Sequence, residues 1–238
     1  MKRFVPLAKM MDRVEVDKAD SDVAAFYALL FYGEMLTKVL VASLVEAVDD
    51  DRDRNRYRLH YRLVRADGIG EWASVLDEIL TGTASQYLVP AARKEQKQLT
   101  QKLPSGNWQY SAVELLRSCA KGTGIQCDPV SGKVAARQWF PLFAAFRNKT
   151  RGHGATSGRQ CAEVCEGLEK SINLFAENFA LFQRPWAYLH RNLSGKFRVT
   201  HLGGDHAPFE YLKRTTSENL ADGVYLALDS KLVRVELT

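Results

Sequence analysis

The chain has 238 residues, 46% of them hydrophobic, which is enough for one large domain or for one domain with an appendix. The net charge of +5 and the pI near 9.0 are compatible with a nucleic acid partner without requiring one. The four cysteines lack the spacing of a disulfide framework, which favours a reduced, cytoplasmic compartment. We expect no apolar run of membrane-spanning length and no signal-peptide core after Met1, and therefore no membrane association.

Apolar periodicity divides the chain into a helical part and a strand-like part. Helical spacing runs through residues 1–185, whereas alternation of apolar residues is typical of 186–238 and predicts strands at 196–202, 224–228 and 232–237. We therefore predict a mainly α fold with a small C-terminal β-rich segment. That segment is either an appendage that stabilises a dimer or the start of a further domain, because two or three strands alone are marginal.

The first long helix is predicted over residues 23–48, after a mixed, charged lead-in over 1–20. Ser21 and Asp22 are suitable N-caps for it. Its apolar residues lie almost all round the helix, which indicates a central element or one in an interface.

A basic helix follows an acidic turn at residues 49–53 and ends near residue 66. Arginines, among them Arg54 and Arg58, alternate with tyrosines and aliphatic residues along it. One interpretation is a track for RNA, in which guanidinium groups bind phosphates and tyrosines stack on bases. The alternative is a solvated helix face that the preceding aspartates balance.

The other predicted helices complete a bundle. They cover 71–80, 89–101, 108–120, a segment that begins near 133, and 159–182. Pro141 predicts a kink or a late start of the helix that begins near 133. We expect this helix to lean against the two long helices, 23–48 and 159–182.

The segment 138–154 carries the most informative pattern. Phe140, Phe143 and Ala144 share one helical face, and Arg147 continues that apolar stripe. A buried guanidinium needs a partner, so either a carboxylate meets Arg147 or the stripe opens into a cleft or an interface that binds an anion. Glu34 is the acid that we expect to bind Arg147, unless it forms a solvated pair with Lys38.

Donor groups are concentrated directly after this stripe. The donor groups belong to Arg147, Asn148, Lys149, Arg151 and His153. No carboxylate or thiol lies within this segment, so we predict neither a metal nor a cofactor. An arginine, a polar residue and a histidine suffice for cleavage of RNA by its own 2′-hydroxyl. The alternative is a helix C-terminus that carries cations because the helix dipole favours them there.

The order Arg147-Asn148-…-His153 resembles the R-N-x(3–5)-H signature of HEPN ribonucleases, and the resemblance covers about residues 20–185. It implies a HEPN-like helical bundle and a homodimer whose two motifs form one composite site. It also implies a metal-independent endoribonuclease of toxin–antitoxin or antiviral defence systems, with Arg147, Asn148 and His153 as catalytic residues. Lys149, Arg151, Arg54 and Arg58 would bind RNA, and an antitoxin or a fused or associated sensor would be a partner. The alternative is a silent HEPN-like module for dimerisation or for sensing a nucleotide or a partner.

Two further groups invite a metal interpretation. His201 and His206 lie near Asp205 in the C-terminal segment, but the sequence offers no third ligand, so satisfied histidines are the favoured interpretation. Cys161 and Cys165 are four residues apart on a predicted helix, where small core residues are favoured over zinc ligands.

Overall fold

The computed structural model describes residues 4–49, 54–127, 132–152, 157–229 and 231–236. This part of the chain is mainly helical with a small antiparallel sheet near its end, as the sequence predicted. Its helices are α1 Val5–Asp20, α2 Asp22–Glu46, α3 Asn55–Val64, α4 Ile69–Thr81, α5 Arg93–Thr100, α6 Trp108–Gly122, α7 Trp139–Arg147, α8 Gly158–Asn178 and α9 Ala207–Glu210. Its strands are β1 Lys102–Pro104, β2 Lys133–Ala135, β3 Trp186–Arg191, β4 Phe197–Gly203, β5 Gly223–Leu228 and β6 Lys231–Val235.

Helix α2 is the central element of the bundle. It begins after Ser21, whose hydroxyl accepts a hydrogen bond from the amide of Ala24 at 3.1 Å. Helices α1, α4, α7 and α8 pack around it, as its apolar circumference requires. By length and composition α2 could cross a membrane, so the expectation that no run reaches that length is wrong. In the fold, 78% of its most apolar window is buried by protein, which is compatible with a core helix.

The N-terminal segment corrects the sequence prediction of a mixed lead-in. Residues Val5–Asp20 form α1, with Leu7 and Val14 buried on one narrow stripe. The stripe is easily missed because charged residues surround it on the helix. Phe4, just before α1, packs against Phe182 and Trp186, with ring centroids 5.6 and 4.8 Å apart.

The helix that carries the candidate motif begins later than residue 133. Residues Lys133–Ala135 instead form β2, which pairs antiparallel with β1. Helix α7 then begins at Trp139, which confirms the late start that Pro141 indicated. Pro141 lies in the first turn of α7, where an amide proton would have no partner within the helix.

The C-terminal sheet has four strands in the order β4-β3-β5-β6, all antiparallel. The sequence predicted β4, β5 and β6 but missed β3, which lies between two of them. One face of the sheet belongs to the main core through Trp186, Leu226 and Val233. The other face is covered by Phe209 and Leu212, from α9 and the turn after it.

A buried ion pair fastens the helices to the sheet. Arg184 binds Glu95 through Nε to Oε1 at 2.6 Å and through Nη2 to Oε2 at 3.1 Å. The side chain of Glu95 is only 1% exposed. The helices and the sheet therefore contact each other on both sides of residue 185, where the sequence predicted a boundary between 1–185 and 186–238.

Candidate functional site

Helix α7 is held against α2 by its aromatic face. Phe140, Phe143 and Ala144 are buried, as predicted, and the ring of Phe143 stacks on Trp139 with centroids 4.7 Å apart. The absence of a side chain at Gly33 of α2 permits this approach, since a Cβ there would lie 2.3 Å from Cζ of Phe143. The position of the end of α7 is therefore set by close packing.

A π-helical turn, Asn148–Gly152, continues α7. Thr150 is buried within it and donates from its hydroxyl to the carbonyl of Phe146 at 2.8 Å. Single π turns at the ends of or within α-helices are frequent at functional sites. The turn presents Asn148 and Lys149 at the surface, where both are exposed.

Arg147 forms the ion pair that the buried stripe predicted. Its Nε donates to Oε1 of Glu34 at 2.7 Å, and its Nη1 donates to Oδ1 of Asn148 at 3.2 Å. Its Nη2 donates to no atom of the described residues. Lys38, the alternative partner of Glu34, instead places its ammonium 5.7 Å from the ring centroid of Trp72.

Arg151 shares the same carboxylate. Its Nη1 lies 3.2 Å from Oε1 of Glu34, and its guanidinium lies over the ring of Phe31, 4.8 Å from the centroid. Two guanidinium groups therefore share one acid, which leaves a net positive charge at the end of α7. His153, the predicted general base or acid, lies outside the described residues.

Arg147 and Asn148 form one wall of an open groove of about 600 Å³. The rest of its lining comes from the end of α3 and the start of α4, namely Tyr61, Arg62, Arg65, Asp67, Gly68, Gly70 and Glu71. Arg65 donates from Nη1 to the hydroxyl of Tyr61 at 2.7 Å. The groove thus combines arginines with an exposed tyrosine ring, the side chains that bind phosphates and stack on bases.

The predicted RNA-binding residues Arg54 and Arg58 are exposed, at the start of α3 and within it. On an ideal helix Arg58 and Arg65 fall within about 20° of each other, whereas Arg54 is the N-cap of α3 and has a left-handed backbone conformation. Arg58 and Arg65 therefore form a line of arginines along α3 that ends in the groove beside Arg147. Arg65 and Tyr61 belong to the same predicted basic helix, although the sequence analysis named only Arg54 and Arg58 on this helix as RNA-binding residues.

The described residues contain no group of three or more His, Cys, Asp or Glu side chains that could bind a metal. The rings of His201 and His206 stack with centroids 3.7 Å apart, and His201 Nε2 lies 3.1 Å from Oε1 of Glu210. Burial and the neighbouring His206 lower the pKa of His201. Its buried Nδ1 has no partner in the described chain, so the prediction of a satisfied histidine is met at only one of its two nitrogens.

Comparison with family models, curated proteins and solved structures finds no match for this chain. The fold and the groove define a mainly helical protein with an open groove beside the end of α7, lined by three arginines and two acidic residues among others. The HEPN resemblance depends on the sequence of Arg147, Asn148 and His153.

Proposed function

We propose that this chain is a metal-independent endoribonuclease of the HEPN type that acts as a toxin or antiviral-defence effector in the cytoplasm. The observation that supports it most is the position of Arg147. This residue ends a buried helix, is oriented by Glu34 and Asn148, and keeps Nη2 available at a groove lined by further arginines. A guanidinium fixed in this way can bind a phosphate without reorganising first.

The chemistry follows from these side chains. The 2′-oxygen attacks the adjacent phosphorus while the bond from phosphorus to the 5′-oxygen breaks. One proton leaves the 2′-hydroxyl and one reaches the 5′-oxygen, so the products are a 2′,3′-cyclic phosphate and a 5′-hydroxyl. His153 transfers protons, Arg147 stabilises charge on the phosphoryl oxygens, and Asn148 orients the guanidinium. In a homodimer the second copy supplies a second set of these groups.

The surrounding cations supply affinity for the RNA backbone. Lys149 is exposed on the π turn, and Arg151 lies beside Arg147. Arg54 and Arg58 extend the positive surface along α3. Each phosphate that such a residue neutralises releases counterions, which favours binding and makes it dependent on salt.

One observation favours the second candidate, a catalytically silent module. Glu34 binds both Arg147 and Arg151, which reduces the positive charge available to a substrate. A helix end whose charge is partly neutralised in this way also suits dimerisation or the sensing of a nucleotide, a defence partner or an antitoxin.

Cleavage of end-labelled single-stranded RNA in EDTA tests the proposal. We expect the wild-type chain to cleave, and Arg147→Ala and His153→Ala to lose at least about a hundredfold in rate, the usual effect of removing such groups. Asn148→Ala should lose less. Matched controls are Arg159→Ala, whose side chain is 89% exposed on α8, and His190→Ala, 56% exposed on β3.

The products distinguish this mechanism from metal-dependent hydrolysis. RNA with a 2′-O-methyl group at the cleaved position should stay intact, and the 5′ fragment should carry a cyclic phosphate. Cleavage that needs a divalent metal, or that survives in both Arg147→Ala and His153→Ala, would contradict the proposal. A folded dimer that leaves RNA intact, with or without its defence partner, would favour the silent module.

A further inference from the structure

A second depression of about 570 Å³ adjoins the groove. Arg62 and Gly70 line both, so the two form one continuous surface between α4 and α7. The residues that line the second depression, which we call the base pocket, are Arg62, Gly70, Ala73, Ser74, Leu76, Asp77, Glu78, Leu80, Arg137, Pro141 and Ala144.

The base pocket lies along α7, towards the start of the helix from Arg147. Ala144 comes three residues before Arg147 and neighbours it on the helix surface, whereas Pro141, six residues before Arg147, lies about 120° away around the axis. With a rise of 1.5 Å per residue, Ala144 and Pro141 lie about 4.5 and 9 Å along the axis from Arg147. A base in the pocket would therefore belong to a nucleotide close to a phosphate bound at Arg147.

The pocket is large enough for a nucleobase. Its lining includes residues with short side chains, Gly70 and Ala73 on α4 and Ala144 on α7, beside which a flat ring can approach the backbone. Its volume is in the range of ordinary small-ligand sites, about 300–1,000 Å³. Apolar walls of this kind contact the faces of a base.

The rim of the pocket carries groups that can read the edge of a base. Arg137 and Asp77 form an ion pair across the rim, with side chains 38% and 59% exposed. Ser74 is exposed and accepts from Nη2 of Arg62 at 2.8 Å. A guanidinium donor, a carboxylate acceptor and a hydroxyl are the groups that discriminate among bases.

Arg62 lies where the two depressions meet. Its Nε and Nη2 bind Glu71 at 2.8 and 2.7 Å, and its Nη1 has no partner among the described residues. Nη1 of Arg62 can therefore contact a second phosphate. This phosphate would lie between the base in the pocket and the phosphate bound at Arg147. Sequence-specific proteins read single-stranded RNA by such unstacked bases, whose edges are accessible.

We infer that the base pocket binds one unstacked base of single-stranded RNA next to the scissile phosphate, and that Ser74, Asp77 and Arg137 determine which base it accepts. The inference rests on the proposed function for its position in the reaction. The pocket itself can be tested without cleavage.

The first test uses single-stranded 2′-O-methyl RNA, which cannot undergo 2′-hydroxyl attack. Affinities for four fluorescent oligomers that differ in one base are measured by anisotropy for the wild-type chain and for Asp77→Asn, Arg137→Gln and Ser74→Leu. We expect the first two variants to change the ratio between the best and the worst base by at least fivefold, the effect of losing one good base contact. Ser74→Leu fills the pocket and should abolish the preference.

The controls carry the same chemical changes on an exposed ion pair of α8, as Glu163→Gln and Arg159→Gln. These should leave all four affinities unchanged. Equal affinities for all four bases in the wild-type chain, or a uniform loss in the pocket variants, would overturn the inference. Failure to bind any of the oligomers would overturn it as well.

The second test maps cleavage sites in RNA of random sequence. We expect the wild-type chain to prefer one base at a fixed position beside the cut, and Asp77→Asn to relax that preference. Cleavage with a preference that the pocket variants do not alter rejects the pocket and leaves the nuclease intact. Absence of cleavage together with base-selective binding rejects the nuclease and retains the pocket.

Discussion

Arg147 donates from Nε to Oε1 of Glu34 at 2.7 Å, although the two residues lie 113 positions apart in the chain. The side chains are 23% and 13% exposed, so solvent screens the pair only in part. Glu34 has two effects on the site. It orients Arg147, and it lowers the positive charge that Arg147 and Arg151 present together.

Substitution Glu34→Gln should separate these two effects, because it keeps the size of the side chain and removes its charge. We expect the free energy of unfolding to fall by about 1–3 kcal/mol, since two partly buried guanidinium groups lose their anion. Affinity for RNA should rise because the local charge becomes more positive. Cleavage should slow because Arg147 is no longer held. Urea denaturation, anisotropy and single-turnover cleavage measure the three effects.

The matched control is Glu163→Gln, which removes the acid of a solvent-exposed pair on α8. It should change the free energy of unfolding by less than about 0.5 kcal/mol. If Glu34→Gln raises both affinity and cleavage rate, Glu34 only neutralises the site and does not position Arg147.

Substitution Gly33→Ala, on α2, should disturb the packing of α7 against α2. Its Cβ would meet the ring of Phe143 at 2.3 Å, and that ring is fully buried against Trp139. We expect a loss of about 1–3 kcal/mol, as for other overpacked cores. Gly70→Ala is the control, because nothing lies within 4 Å of its added Cβ. Equal stability of both variants in thermal denaturation would show that α7 shifts without cost.

The line of arginines on α3 predicts how binding depends on salt. Arg58→Ala should weaken binding of single-stranded RNA and reduce the slope of log K against log salt by about 0.7, the share of one phosphate. Arg159→Ala, which removes an 89% exposed side chain on α8, should leave the slope unchanged. Titrations at four salt concentrations measure this difference. An identical slope in Arg58→Ala would place the RNA elsewhere.

The buried thiols predict a loss of stability at alkaline pH. Burial raises the pKa of Cys165 to about 12 and that of Cys119 to about 11. The unfolded chain releases these protons near pH 8.5, so above that pH the folded state binds more protons and its stability falls as pH rises. Cys165→Ala should flatten this decline. Denaturation curves between pH 7 and 10 check the sign.

Much of the helical architecture could be predicted because the apolar residues of a long amphipathic helix recur at regular spacing in the sequence. Helices α4, α6 and α8 were found in this way, and the buried stripe of α7 led directly to the pair of Arg147 and Glu34. The stripe predicted this pair because a charged residue on a buried apolar face needs a partner of opposite charge.

Short pairings could not be predicted, because distant segments determine them. Strands β1 and β2 have three residues each, and each is a strand only because it pairs with the other. The groove was missed for a similar reason: Arg65 and Asn148 line the same groove only because α3, α4 and α7 pack together. The π turn at Asn148–Gly152 has no signature in the spacing of its residues.

The aromatic contact of Phe4 with Phe182 and Trp186 joins the beginning of α1, the end of the helical bundle and the first strand of the sheet. Because these three regions share one core, neither the helices nor the sheet can melt alone without exposing large rings to water. We expect a single cooperative transition, in which amide protons of α2 and β3 exchange with the same free energy of opening. A chain cut at residue 185 would then yield an unstable bundle, and activity would have to be measured with the sheet attached.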